Sequence, residues 1–91
     1  MKKYVIERNI PKVHCMGPEE LKGAAATSNE ALAKLSPRVQ WLHSYVTPDK
    51  TFCIYLAENE DAVREHAELS GFPANVISEV TTTIDPSTAH A

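Results

Sequence analysis

Long apolar runs are absent from this chain, and so are the short motifs that announce most chemistries. No stretch approaches the roughly 18 consecutive apolar residues that a bilayer-spanning helix needs. Three glycines in 91 residues leave no room for a glycine-rich phosphate loop, and neither an HExxH pair nor a nucleophile elbow occurs. The two cysteines, Cys15 and Cys53, form no CxxC pair. Around Tyr4-Val5-Ile6 charges stand on both sides, so Met1–Arg8 has no signal-peptide core, and a cytoplasmic protein with reduced thiols is the expectation. Basic residues are also sparse. Nine Lys and Arg against twelve Asp and Glu give a net charge of −3, which excludes a surface built to track phosphates, so no nucleic-acid partner and no membrane are expected. Repeats and low-complexity tracts are missing as well.

What remains is 43% hydrophobic, the composition of one small domain. A chain of this length buries only about 60 to 65% of its unfolded surface, so association would add stability. Tyr4 to Ile10 reads as a first strand, ended by Pro11. Pro18 suits a first helical position and Glu19-Glu20 suit the positive end of a helix dipole. Leu21, Ala25, Ser28, Leu32 and Leu35 recur at helical spacing, so a helix is expected over 18–35, stopped by Ser36-Pro37. Val39 to Val46 reads as a strand, Thr47-Pro48-Asp49-Lys50 as a turn, and Thr51 to Ala57 as the strand that completes a hairpin. Asn59 can cap a second helix over 60–70, with Glu60 and Arg64 paired along it and Gly71 at its left-handed end. Val76 to Ile84 is a last strand. The domain is drawn at 1–86, with 87–91 as a flexible C-terminal tail.

The order β-α-β-β-α-β is the split βαβ pattern of α+β ferredoxin-like folds. Right-handed crossovers place both helices on one face of a four-stranded antiparallel sheet. The other face has nothing in the chain to cover it, so two copies pairing sheet to sheet as a homodimeric α/β barrel is the expectation.

Alternation then sorts the strands. Trp41, His43 and Tyr45 share one side of the second strand. On the third, Phe52, Ile54 and Leu56 form an apolar row and Thr51, Cys53 and Tyr55 a mixed one. If the helices take the apolar row, the mixed row faces the open side. Tyr45 then lies opposite Cys53 and His43 opposite Tyr55, which needs a loop of Pro48, Asp49 and Lys50; a two-residue turn would put Cys53 behind the sheet. With Ile6, Val80 and Ile84 on the helix side, Glu7 and Glu79 join Trp41, His43, Tyr45, Cys53 and Tyr55 in an open-face pocket.

His43 can serve there as a metal ligand or an acid/base group; its plainer role is a hydrogen bond within a dimer interface. Cys53 is a thiolate donor for nickel, copper or zinc, or a small buried hydrophobe. His66 flanks the buried stripe of the second helix, or serves as a surface ligand with Glu65 or Ser70. His14-Cys15-Met16 offers three consecutive donors that chelate only if the loop bends, and His90 is a solvated tail residue. Glu7 and Glu79 need partners in a closed lumen, or are simply solvated at wet strand ends.

The runs Lys3-Tyr4-Val5-Ile6-Glu7-Arg8, Val39-Gln40-Trp41-Leu42-His43-Ser44-Tyr45-Val46, Glu65-His66-Ala67 with Gly71-Phe72-Pro73, and Ile84-Asp85-Pro86 resemble a family of small bacterial proteins of unknown function often labelled nickel-binding. The resemblance spans Lys3 to Pro86, and Trp-x-His-Ser-Tyr-Val is its most specific part. It implies a ferredoxin-like homodimer with divalent nickel at or near the dimer surface and a role in metal sequestration. His43, Cys53 and His66 match the family pattern and can ligate; the His14-Cys15-Met16 loop departs from it.

The leading expectation is therefore a homodimeric, non-enzymatic protein that binds nickel or another divalent transition metal through His43, Cys53 and His66, with no organic cofactor. Copper and zinc suit the same donors, so selectivity for nickel does not follow from donor type. The alternative is a cofactor-independent oxygenase- or isomerase-like pocket for a small apolar or aromatic ligand. His43 is its base, Tyr45 and Trp41 orient an aromatic or quinone-like substrate, and Glu7 or Glu79 tunes the imidazole. A third reading is a regulatory partner protein with no site of its own.

Overall fold

A computed structural model describes residues 1–90, with His14 defined by its backbone alone. The strands and helices follow in the order β1 (Lys2–Asn9), α1 (Pro18–Leu35), β2 (Val39–Val46), β3 (Lys50–Ala57), α2 (Glu60–Ser70) and β4 (Val76–Val80). Short 3₁₀ turns occupy Val13–Cys15 and Pro86–His90. The sheet order is β2-β3-β1-β4 with every neighbouring pair antiparallel, and α1 packs beside α2, which is the ferredoxin-like arrangement.

Local chemistry accounts for both helices. Gly17 is extended as the cap of α1, Pro18 opens it, and Glu19 and Glu20 lie in its first turn. The Ser36–Pro37 peptide that follows is cis. The Asn59 side chain accepts a hydrogen bond from the Ala62 backbone at 2.9 Å, satisfying one of the first-turn N–H groups of α2. Gly71, at φ 76°, ends α2 in the left-handed region that a side chain disfavours. The last strand stops at Val80 rather than at Ile84, and Ile84 stays 75% exposed. The residues after it include a 3₁₀ turn closed by Asp85, whose carboxylate accepts from the backbone and hydroxyl of Ser87. Ala91 lies outside the described residues.

The hairpin corrects the expected register. Val46 pairs with Thr51, Tyr45 with Phe52, Ser44 with Cys53 and His43 with Ile54, and the Thr47 N–H closes the turn on the Lys50 carbonyl at 2.9 Å. The loop is the two residues Pro48 and Asp49, so Cys53 does lie behind the sheet. Between Trp41 and His43 the ladder shifts by one residue at Leu42, and Trp41 pairs with Tyr55. This bulge turns Trp41 to the side opposite His43 and Tyr45.

The helices therefore take the mixed row. Thr51, Cys53, Tyr55 and Ala57 are buried on the helix side, while Phe52, Ile54 and Leu56 are half-buried on the open side. On β4 the sides are also reversed from expectation: Ile77 pairs with Ile6 and packs on the core, whereas Val76 and Val80 face the open side. Side-chain size varies along this contact. The N-terminal half of α1 turns Leu21, Ala24, Ala25 and Ser28 toward the sheet, while Ala31, Leu32 and Leu35 pack on the core further along, and the tall side chains of Tyr4, Tyr55 and Trp41 stand among the smaller Thr51, Cys53 and Ala57 beneath. No described helix is long and apolar enough to cross a membrane.

Candidate functional site

The residues expected in one pocket are divided between the two faces of the sheet. On the open face stand His43, Tyr45 and Glu7. The rings of His43 and Tyr45 meet edge to face at 5.1 Å between centroids, and Tyr45 is 59% exposed. Glu7, opposite Phe52, holds the Lys50 ammonium at 3.4 Å. Around them Val5, Phe52, Ile54, Leu56 and Val80 present an apolar surface on the side of the sheet away from both helices. Glu79 is not there. It pairs with Tyr4 on the helix-side row, near the sheet edge, and holds Lys2 at 3.3 Å.

Trp41, Cys53 and Tyr55 lie on the helix side. The Trp41 indole N–H donates to the Ser44 hydroxyl at 2.9 Å, bridging the bulge. The Cys53 thiol contacts the Thr51 hydroxyl at 3.6 Å, and Cys15 is exposed in the β1–α1 connection; the side chain of His14 lies outside the described residues. His66 is not at the surface with Glu65 or Ser70. It is 0% exposed in the stripe Ala62, Val63, His66 of α2, with its Nε2 3.2 Å from the Ser28 hydroxyl and its ring 5.0 Å from that of Tyr55. Its Nδ1 has no hydrogen-bond partner. Burial, aided by the nearby Arg8 charge, pushes the imidazole down to about 4, so it is neutral near pH 7. Glu65 instead pairs with Arg38 at 2.7 Å.

Among the described residues no three His, Cys, Asp or Glu side chains converge to hold a metal ion. His43, Cys53 and His66 are in three different environments, one on the open face and two in the interior. The described residues of a single copy do not make a closed nickel site.

A cavity of about 490 Å³ lies on the helix side, between the N-terminal half of α1 and the β1–β3–β2 part of the sheet. Ala24, Ala25 and Leu21 form its helix wall, Trp41, Cys53 and Tyr55 its floor, and Phe72-Pro73 one flank. Arg8 is the one charged residue in the described lining. It is only 2% exposed, and its guanidinium donates to the Pro73 carbonyl at 2.8 Å and to the Tyr55 hydroxyl at 3.4 Å, above the Phe72 ring. Burial pushes the Tyr55 phenol up, with the Arg8 charge opposing, so the phenol stays protonated and can donate as well as accept.

A family model described as nickel responsive protein SCO4226-like matches residues 4–80. The chain belongs to this family. Its fold is similar to that of SCO4226 from Streptomyces coelicolor A3(2), at a TM-score of 0.76 and 15% identity over 90% of this chain and 99% of that one. At this identity the likeness speaks for the fold alone. No curated protein matches the chain significantly.

Beside His66, the SCO4226-like chain carries two buried polar groups that the sequence pattern did not single out as candidates, Arg8 and Ser28. Arg8 follows buried Tyr4 and Ile6 at period two, so alternation alone assigns it to the core row. Ser28 is the polar member of the α1 stripe, and His66 is the polar member of the α2 stripe. A polar residue in phase with a buried stripe is the signal that marks all three.

Proposed function

We propose that this protein is a homodimer that handles nickel, its metal donors completed only when two copies meet through their open sheet faces. The family description supplies the link to nickel. The observation that carries the geometry is the position of His43, exposed among the apolar side chains of the open face. One imidazole is too few donors for a divalent ion, and a two-fold contact doubles every donor it includes. Glu7 is a carboxylate on the same face, and an apolar surface of this kind is what a subunit interface buries. Cys53 and His66 point into the interior, so the proposal rests on His43. Sequestration of a late first-row divalent ion, without catalysis, is the corresponding role.

Native mass spectrometry of tag-free protein, first metal-free and then titrated with nickel, zinc and copper, tests this reading. A dimer with discrete nickel additions is expected, lost both in His43→Ala and in Ile54→Glu, which places a charge in the interface. Nickel stoichiometry and affinity unchanged in His43→Ala would overturn the assignment, and a wild-type monomer at micromolar concentration would overturn the dimer.

A further inference from the structure

A guanidinium has five N–H donors, and Arg8 gives its two hydrogen bonds to neutral groups, the Pro73 carbonyl and the Tyr55 hydroxyl. None of the ion pairs among the described residues includes it. A charge removed from water without a counter-charge is costly unless something supplies one. Here the charge lines a cavity of about 490 Å³, within the range of small-molecule pockets, whose other described walls are apolar apart from Asn9 and a few hydroxyl and thiol groups.

We propose that this cavity binds an apolar or aromatic monocarboxylate. The carboxylate sits on Arg8 and the Tyr55 hydroxyl; the hydrocarbon body lies against Trp41 and the alanines of α1. The planar fork of Arg8 matches a carboxylate. One cation suits a single negative charge, whereas a phosphate dianion calls for more than the described lining offers. Neutral His66, behind Ser28, adds no second charge near pH 7. Small residues explain the space: toward the start of α1, Ala24, Ala25 and Ser28 share the lining with Ser44, Thr51 and Cys53, which are too small to fill it.

Trp41 is the sole tryptophan and forms part of the cavity wall, so its emission reports occupancy. The test is a fluorescence and calorimetric titration of the metal-free, full-length protein with hydrocinnamate and octanoate, each beside its neutral amide. A saturable change in Trp41 emission is expected with the acids, and binding of the amides roughly 10- to 100-fold weaker. Arg8→Gln should erase the preference for acid over amide. Ala25→Phe, which fills the cavity and leaves Arg8 in place, should abolish binding with the circular dichroism of the wild type, and it decides the matter if Arg8→Gln does not fold. Equal affinity for acid and amide, no saturable binding of either acid, or undiminished binding by Ala25→Phe would each overturn the proposal. Because His43 lies across the sheet, nickel uptake in Ala25→Phe stays as in the wild type, and the two readings stand or fall separately.

Discussion

Acid should destabilise this fold through His66 over and above its carboxylates. Its ring is buried beside Ser28, Tyr55 and the Arg8 charge, and its folded value of about 4 lies below the ordinary 6.5. The unfolded chain therefore takes up the proton first as the pH falls. Protonation favours the unfolded state, so the contribution is fully present above about pH 6.5 and is lost progressively as the pH drops toward 4. Between about pH 7.5 and pH 4.5 the two values give a loss on the order of 2 to 3 kcal/mol, a large share of a small domain's stability. The assay is urea unfolding at fixed protein concentration, followed by circular dichroism and Trp41 emission, for the wild type and His66→Gln. Carboxylates contribute the same acid loss to both chains, so the difference between the two pH profiles isolates the imidazole. The wild type should lose roughly 2 to 3 kcal/mol more than the variant over that interval. Parallel profiles would refute the reasoning, whatever the stability of the variant at neutral pH, because a group already protonated or solvated in the folded state has no such linkage.

Two further substitutions test the fold. Asn59→Ala removes the side-chain acceptor of the Ala62 N–H and should cost about 1 kcal/mol in urea unfolding with little change in slope; a neutral result would mean that water replaces the cap. Ile6→Ala empties a fully buried position where β1 meets both β3 and β4, and should cost about 2 to 5 kcal/mol in the same measurement.

Much of the fold was legible along the chain because its signals are local. Pro18, Glu19-Glu20 and Ser36-Pro37 bound α1 at the residues where the helix begins and ends, and Asn59 and Gly71 do the same for α2. Capping and φ preferences act within a turn, so no distant contact needs to be known. The four strands and their order in the chain were readable for the same reason, and the run from Trp41 to Val46 already resembled the family to which the chain belongs. The site was read less well. Placing Cys53, Tyr55 and Glu79 on the open face assumed that helices claim the more apolar row, whereas the helices cover the mixed row and the apolar one lies on the open face.

What the sequence by itself determined is thus the set of elements, the boundaries of the two helices and the alternating rows on β1, β3 and β4, all consequences of backbone preferences and period. Which row meets the helices is a different kind of question. A period of two is symmetric between the faces of a sheet, and a one-residue change of register exchanges them. The tertiary structure decided it through the Pro48-Asp49 turn and the bulge at Leu42. Those same long-range fits buried Arg8 and His66 and opened the cavity beside Trp41, because steric complementarity between distant segments exists only once they are packed together.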